Sequence, residues 1–342
     1  MRISTHLFHT QGLQSIQNHQ QSVLDAQLQL STGKKINAPS DDPVGLSQVH
    51  ALNRTLSTID QFAKNGDYAK SQLEQEETAI NDVIINVQRA RELAIQMSND
   101  TYNAGDRQAT AKEVEQIIQQ LYNQMNYTNS DGEKLFAGGS VNVEQAFIVD
   151  PNNPDYYAYV GSPNADNGNP ATTVADPLAN YGGRFVQIGF DGDNQLPPND
   201  QGDPSRVRIT DSGDKVFGIE GPNPYDYQGL GVDHNILNVL VEFKKALESG
   251  NPPPAGVIED MDASIGQMTQ VRAEIGGRQN RIEAQFDAGE SFKVALEERR
   301  IKLEDADIVQ GVTDLTQSQN ALQLAQQVFS RVNGMSLFDY LR

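Results

Sequence analysis

The chain has 342 residues, a formal net charge of −20 at pH 7, and neither cysteine nor tryptophan. The lack of cysteine excludes a disulfide framework and a thiolate metal site. Because an excess of carboxylates cannot neutralise phosphate groups, the charge argues against nucleic acid and anionic membranes as partners.

The first segment, before Lys34, is predicted to be a charge-poor helix. Its only Asp, Glu, Lys or Arg residues are Arg2 and Asp25, although 21% of the whole chain is charged. Apolar residues recur every seven positions among Gln, Asn, Ser, His and Thr, which indicates one apolar stripe. The residues assigned here to an assembly interface are Leu13, Ile16, Val23 and Leu30.

A long rod helix is predicted to follow, from Pro43 to Ser98, with Asp42 as its N-cap. Apolar residues recur in steps of three and four over more than six heptads, which indicates a seam packed against another helix. At 1.5 Å per residue this helix would be roughly 80 Å long. The seam positions assigned to the rod core are Val49, Leu52, Leu56, Ile59, Ile80, Ile84 and Val87.

A second helix is predicted after the break from Asn103 to Asp106, and a β-rich module follows it. Half of the glycines, 14 of 28, and ten of the 15 prolines lie between Gly138 and Gly231. So many helix breakers in one stretch indicate strands and loops between two helical halves. The candidate strands are Ala146–Val149, Tyr156–Val160, Phe185–Phe190, Arg206–Thr210 and Lys215–Ile219.

Two helices are predicted after the module, one around Ile236 to Leu247 and then a long returning helix. The rod-core positions assigned on the returning helix are Ile265, Met268, Ile275 and Ile282. The last segment, after Ala306, is again charge-poor and carries two apolar stripes, which suits a partner on each side. The residues assigned here to the assembly interface are Ile308, Val312, Leu315, Leu322, Phe329 and Val332.

These patterns predict a mainly α protein with an inserted β-rich domain. Each seam needs another apolar face to bury against, so both halves of the chain should form one long antiparallel bundle or coiled-coil rod. Residues 1–42 plus 305–342 would form a terminal helical assembly domain. Residues 43–136 plus 232–304 would form the rod, and residues 137–231 the β-rich outer domain.

The terminal segments are predicted to be disordered in the free subunit and to fold on assembly. Ordering a residue costs roughly 1–2 kcal/mol in backbone entropy, and fully burying a large apolar side chain returns roughly 1.5–3 kcal/mol. An isolated helix buries almost none of this surface, so neighbouring subunits would have to cover it. The alternative, that both ends complete the bundle of the free subunit, stays open.

Motifs that carry chemistry are sparse. The acidic loop from Asp191 to Asn194, with Asp200 and Asp203, lacks the spacing of a calcium-binding loop, so a solvated turn is the better interpretation. The five histidines form no metal-binding pair, and no phosphate-binding or nucleophile motif is present. We therefore expect no enzymatic activity, no cofactor and no metal.

Several local strings resemble the flagellin superfamily. In the first of them Gly33 fits the position that closes the first helix, and Pro43 opens the next one. The form from Pro39 to Pro43, like the C-terminal string, is similar to the hook-associated branch of the superfamily. The strings are Ser31–Gly45, Asn129–Gly138, Ser212–Phe217, Val271–Ile282 and Met335–Leu341.

This resemblance implies a subunit of the hook–filament junction, outside the cell on the bacterial flagellum. The partners it implies are hook-associated protein 1, flagellin, further copies of this chain in a tubular ring, and a flagellar export chaperone. The sequence from Met1 to Thr5 lacks the apolar segment of a signal peptide. Such a start fits export through the flagellar type III channel without a cleaved signal.

Three other functions stay open at this point. A filament flagellin would have the same helical ends. A secreted binding protein would use the β-rich insert to recognise a glycan or another surface. An enzyme would carry its active site in that insert, and activity of the isolated insert would be needed to support it.

Overall fold

The computed structural model describes residues 2–129, 132–139, 143–161, 183–190, 205–219 and 227–340; in the end helices, side chains are described from Leu7 to Arg331, Phe8 excepted. Within these ranges the fold is mainly α with short strands between two helical halves, as predicted. The helices are α1 (Arg2–Thr32), α2 (Pro43–Met97), α3 (Ala104–Met125), α4 (Gly213–Phe217), α5 (Ile236–Glu248), α6 (Val257–Glu304) and α7 (Ile308–Tyr340). The strands are β1 (Phe147–Val149), β2 (Tyr157–Tyr159), β3 (Phe185–Gln187) and β4 (Arg206–Arg208).

The rod helix α2 begins at the predicted proline and ends one residue before the predicted Ser98. The carboxylate of Asp42 accepts the backbone N–H groups of Val44 and Gly45 at 3.1 and 2.9 Å. Such an N-cap satisfies two of the donors that every helix start leaves without an intrahelical partner.

The turn between α2 and α3 is fixed by hydrogen bonds at both helix ends. The Asp106 N–H donates to the Asn103 side chain at 3.0 Å, and the Asn103 N–H donates back to the Asp106 carboxylate at 3.1 Å. This reciprocal pair is a capping box. The buried guanidinium of Arg107 donates to the carbonyl oxygen of Met97 at 3.3 Å, so the end of α2 is capped as well.

The β-rich part contains two antiparallel pairs, with β1 paired to β2 and β3 paired to β4. Four of the five predicted strands are therefore present in shorter form. The fifth, Lys215–Ile219, is wrong, because residues 213–217 form α4. The Gly218 N–H donates to the Asp214 carbonyl at 2.9 Å and closes a helical turn. Val216 and Phe217 are both buried, whereas a strand would point them in opposite directions.

One apolar cluster joins the α2, α3, α5 and α6 helices to the β-rich part. Helix α3 packs against α5. Phe136 and Phe217 meet edge to face with ring centroids 4.7 Å apart, so α4 is held in this core by aromatic packing.

The chain divides into two compact units, one of residues 1–59 and 290–342 and the other of residues 60–289. The first contains the helices α1 and α7 together with parts of α2 and α6. The second contains the apolar cluster and both strand pairs. The three-domain division made from the sequence stays a prediction. Within the described residues, no helix combines the length and apolarity that crossing a lipid bilayer requires.

Candidate assembly surfaces of the terminal helices

The terminal helices α1 and α7 pack against each other inside the first compact unit. A methyl group added at Gly12 would lie 2.7 Å from Cδ2 of Phe329, and one added at Gly311 would lie 3.5 Å from Cγ of Leu30. Residues early in α1 therefore meet residues late in α7, and the two helices are antiparallel. The ring of His9 meets Phe329 edge to face, with centroids 5.1 Å apart.

Six of the ten predicted interface residues lie on the seam between these two helices. Each seam follows a heptad pattern, which keeps one face of each helix toward the other. Their side chains are half-buried, because a single neighbouring helix covers only part of each. These residues are Ile16, Val23 and Leu30 on α1 and Leu315, Leu322 and Phe329 on α7.

Other apolar residues of the pair point away from the seam. Leu13, Ile308 and Val312, which the sequence also assigns to the interface, are 47%, 63% and 49% exposed. Further exposed apolar residues on the two helices are Leu7, Leu24, Leu28, Val309, Leu324 and Val328. Large apolar residues are thus left uncovered on helices with few charges, and such surfaces mark sites of protein contact.

The exposed residues fall on two sides of the pair when positions are counted at about 100° per residue. One side, named here the first flank, comprises Leu13, Leu24, Leu28, Ile308, Val309 and Val312. The opposite side, the second flank, comprises Leu7, Leu324 and Val328. An arrangement with apolar residues on both sides fits a helix pair that is covered by more than one neighbour.

The polar residues between the flanks are mostly amides, and the few carboxylates are held locally. The Gln21 amide donates to Asp25 at 2.8 Å, and the Gln310 amide donates to Asp314 at 2.8 Å. Both pairs are one helical turn apart, which is the spacing at which side chains on a helix meet. The surface is therefore polar enough for water yet carries little charge that a neighbour would have to desolvate.

The segment that connects α1 to α2 and the segment that connects α6 to α7 are hydrogen-bonded to each other. Gly33 closes α1 with a φ of +70°, the left-handed conformation predicted for this position. The Lys35 N–H donates to the Glu304 carbonyl at 2.6 Å, and the Ala306 N–H donates to the Gly33 carbonyl at 2.9 Å. The Lys34 ammonium lies 2.5 Å from a carboxylate oxygen of Glu304, which is almost fully buried.

Ten of the eleven residues assigned to the rod core are buried, and each is described within its own compact unit. In the first unit Val49, Leu52, Leu56 and Ile59 are buried. In the second unit the buried ones are Ile80, Ile84, Val87, Met268, Ile275 and Ile282. Ile265 is partly buried and packs against the same cluster.

Some predicted features lie outside the described part. These are the side chain of Val332 and the acidic loop from Asp191 to Asp203. Among the residues that are described, no group of three or more His, Asp or Glu side chains could hold a metal ion.

Two kinds of residue were missed from the sequence. Val309 and Leu324 lie outside the apolar stripes, because a stripe search keeps only residues of the dominant repeat. Gly12 and Gly311 were missed because a glycine adds nothing to an apolar pattern. Their signal is the spacing: each glycine precedes a large apolar residue of the seam, Leu30 or Phe329, by 18 positions.

Comparison with known families finds matches at both ends of the chain. The model of the bacterial flagellin N-terminal helical region matches residues 3–140. The model of the bacterial flagellin C-terminal helical region matches residues 258–341. Together these matches contain α2, α3 and α7 and all but the first residue of α1 and of α6, whereas both strand pairs lie between them.

Curated relatives match along the whole length. Flagellar hook-associated protein 3 of Escherichia coli K12 is 25% identical over 99% of each chain. The protein of the same name from Salmonella typhimurium LT2 is 25% identical over 100% of both chains. A flagellin of Clostridium tyrobutyricum is 22% identical over 97% of this chain and 99% of its own.

Solved structures share the fold. A putative flagellar hook-associated protein of Vibrio parahaemolyticus superposes with a TM-score of 0.56 at 18% identity, over 77% of this chain and 99% of that one. Hook-associated protein 3 of Legionella pneumophila gives a TM-score of 0.54 at 15% identity, over 75% of this chain and 98% of that one.

Proposed function

We infer that this chain, which belongs to the flagellin superfamily, is a structural subunit of the bacterial flagellum that forms the junction between hook and filament. Its ends are flagellin helical regions, and the hook-associated relatives match it from end to end. The observation that carries the role is the uncovered apolar surface on the α1 and α7 pair. A subunit that polymerises through this pair has neighbours to cover both flanks.

The mechanism we propose is folding coupled to assembly. Once the two helices are ordered, the seam between α1 and α7 only half-buries its apolar residues, and neighbouring subunits are needed to cover the flanks. Fully burying one Leu, Ile or Val side chain stabilises by roughly 1.5–3 kcal/mol, so covering several of them on each subunit offsets the entropy of ordering both helices. Before assembly the terminal segments, residues 1–42 and 305–342, are disordered.

The partners follow from this location. Further copies of the chain cover the flanks within a tubular ring, and hook-associated protein 1 and flagellin bind the two ends of that ring. The ring then templates the first flagellin subunits. Inside the cell a flagellar export chaperone holds the uncovered C-terminal helix, because its apolar residues would otherwise aggregate.

We further propose that the subunit is exported through the flagellar type III channel without a cleaved signal peptide and acts outside the cell. The relatives are structural flagellar proteins. We accordingly assign the chain no enzymatic activity, cofactor or metal.

The role is tested by deleting the gene in its own motile host and returning it in altered form. The deletion strain is expected to keep intact hooks and to shed flagellin into the medium, and the unaltered gene is expected to restore filaments. If flagellin is absent from both the cells and the medium after deletion, the chain is the filament flagellin instead. That second function has support, since a flagellin matches nearly the whole chain.

The surface that carries the role is tested in the same strain with a matched pair of variants. Leu28→Glu places a charge on the first flank, whereas Gln48→Glu places the same charge at an exposed polar position of α2, away from both flanks. Burying an unpaired carboxylate at an interface is costly, so Leu28→Glu is expected to be exported but not incorporated. Equal filament counts in the two variants would contradict the assignment of the flank.

A further inference from the structure

The seven-residue repeat of apolar residues does not by itself determine how α1 and α7 are aligned along the seam. Seam residues recur every seven positions on both helices: Ile16, Val23 and Leu30 on one, Leu315, Leu322 and Phe329 on the other. A slide of one helix by seven residues therefore brings apolar seam residues back into line. Charged side chains beside a seam usually prevent such slides, because they pair in one register only. The described residues of α1 and α7 include only a few charged side chains.

A glycine lies opposite a large seam residue at each end of the pair, and only one of these two contacts is too tight for an added methyl group. Gly12 faces Phe329, and Leu30 faces Gly311. On each helix the glycine and the large residue are 18 positions apart, which is five turns, so they lie on the same face. Each end of the pair thus joins a large side chain to a glycine on the opposite helix.

We propose that Gly12 and Phe329 form a register lock that sets how the two terminal helices align, and thereby which residues share each flank. The inference rests on the proposed function, because the register matters only if the flanks are assembly surfaces. Glycine inside a helix is less favourable than alanine. At Gly12 this cost has a reason, since no side chain fits beside the Phe329 ring.

A slide by one heptad would remove both glycine contacts. By counting, Phe329 would then lie level with His19, and Leu30 would lie level with Ser318. The residues of each flank on α1 would be displaced by roughly 10 Å from those on α7. Neighbouring subunits would meet a surface in which the apolar groups of the two helices no longer coincide.

The two glycines differ in whether an added methyl group fits, so Gly311→Ala is a matched control for Gly12→Ala. An added methyl at Gly12 meets the Phe329 ring at 2.7 Å, closer than carbon atoms approach in packed proteins, whereas at Gly311 the nearest atom of Leu30 is 3.5 Å away. Both changes improve helix propensity equally. Propensity alone predicts that both are harmless, and the lock predicts that only Gly12→Ala is harmful.

The experiment expresses full-length variants in the deletion strain and counts their incorporation into flagella. Gly12→Ala is expected to incorporate about tenfold less than the unaltered chain, since overpacking this contact destabilises the helix pair. Gly311→Ala is expected to match the unaltered chain. Phe329→Leu added to Gly12→Ala frees space at the contact and is expected to restore part of the loss.

A second measurement reads the register directly, because the chain has no cysteine of its own. The cysteines of the double variant Val23→Cys and Ser318→Cys lie opposite each other in the observed register. Those of Val23→Cys and Ala325→Cys lie opposite each other after a one-heptad slide. A disulfide needs Cα atoms within about 7 Å. In assembled flagella the first pair is expected to cross-link, and Gly12→Ala is expected to shift cross-linking toward the second pair.

Three results would decide against the lock. Gly12→Ala could incorporate normally with unchanged cross-links, Gly311→Ala could be as harmful as Gly12→Ala, or both cross-links could be lost together because the pairing fails rather than slides. Failure of the unaltered chain to enter flagella at all would instead overturn the proposed function. The two failures are therefore distinguishable.

Discussion

Asp233 is a carboxyl group buried in the second compact unit at the return from the β-rich part. It accepts the backbone N–H of Tyr159 at 2.9 Å, which helps to hold strand β2. Removal from water, together with the nearby carboxylates of Asp150 and Asp214, raises the pKa of Asp233 to about 7. The folded protein therefore keeps a proton on Asp233 over a pH range in which the unfolded chain has lost it.

This pKa gives the first prediction. Between about pH 4 and pH 7 the folded state binds more protons than the unfolded state, so the contribution of Asp233 to the free energy of unfolding falls as pH rises. Asp233→Asn keeps an oxygen acceptor and removes the charge. We expect it to increase the free energy of unfolding by about 1–4 kcal/mol at pH 8 and to change little at pH 4.

Urea denaturation followed by circular dichroism at both pH values measures this difference. Asp82→Asn is the control, since Asp82 is exposed on α2. An equal effect of Asp233→Asn at pH 4 and pH 8 would mean that its charge is not what burial penalises.

A second buried group of charges joins α2, α6 and the segment after β4. The guanidinium of Arg278 donates to the carboxylate of Asp211, and the Asp211 N–H donates to Glu76 at 3.0 Å. Burial, and then the charge of Asp211, raise the pKa of Glu76 well above its usual range. Burial also opposes the charge of Asp211, but Arg278 and Arg208 outweigh it and lower the pKa of that carboxyl.

At the scale of single elements, the long helices are defined by their buried seams. Ile84 and Ile85 are neighbours on α2, yet the first is 6% exposed and the second 54% exposed. This contrast follows from the 100° turn between successive residues of a helix. The position of a residue on the helix, and not its type, therefore decides what a substitution does.

The second prediction uses this pair. Ile84→Asp buries an unpaired carboxylate and removes apolar contacts, so we expect a loss of about 3–5 kcal/mol in the free energy of unfolding. Ile85→Asp is expected to change it by less than about 1 kcal/mol. Thermal unfolding of both variants at one pH provides the comparison. Identical midpoints for Ile84→Asp and the unaltered chain would refute the seam assignment.

The sequence predicts the helices well because their signals are local. Asp42, Pro43 and Gly33 mark helix ends through their own backbone preferences, and the heptad seam is repeated many times. The short elements are harder, since α4 owes its form to the core around Phe217 and not to its own alternating pattern. Tertiary packing overrides a preference spread over only five residues.

Pairings between distant residues could not be read from the sequence. Glu76 and Asp211 are 135 positions apart, and nothing near either of them signals the other. The division of the terminal stripes into a seam and two flanks had the same difficulty. A stripe shows that an apolar residue seeks a partner, but not whether the partner is the same chain or a neighbour.

At the scale of the whole molecule, charge is distributed unevenly along the chain. Residues 1–42 and 305–342 contain only seven of the 46 acidic residues and five of the 26 basic residues. Almost all of the net negative charge therefore belongs to residues 43–304. A weakly charged terminal surface lets copies approach where they must pack, and the acidic remainder keeps free subunits apart.

The third prediction removes the terminal surface. A chain lacking residues 1–33 and 306–342 retains the whole of the second compact unit, residues 60–289. We expect it to stay soluble and helical and to unfold cooperatively, but not to enter flagella. Circular dichroism and electron microscopy of the complemented deletion strain measure the two properties. An unfolded truncated chain would show that the terminal helices belong to the core of the free subunit.

The hydrogen bonds between the two connecting segments at Gly33 and Ala306 have a mechanical consequence. A single extended strand can swivel about its backbone bonds and so cannot transmit a twist. Here the segment that connects α1 to α2 and the segment that connects α6 to α7 share backbone hydrogen bonds and the ion pair of Lys34 with Glu304. Neither connecting segment can rotate without breaking these bonds. The pair of α1 and α7 is therefore coupled in torsion to α2 and α6. A rotating flagellum needs this property at every joint through which its torque passes.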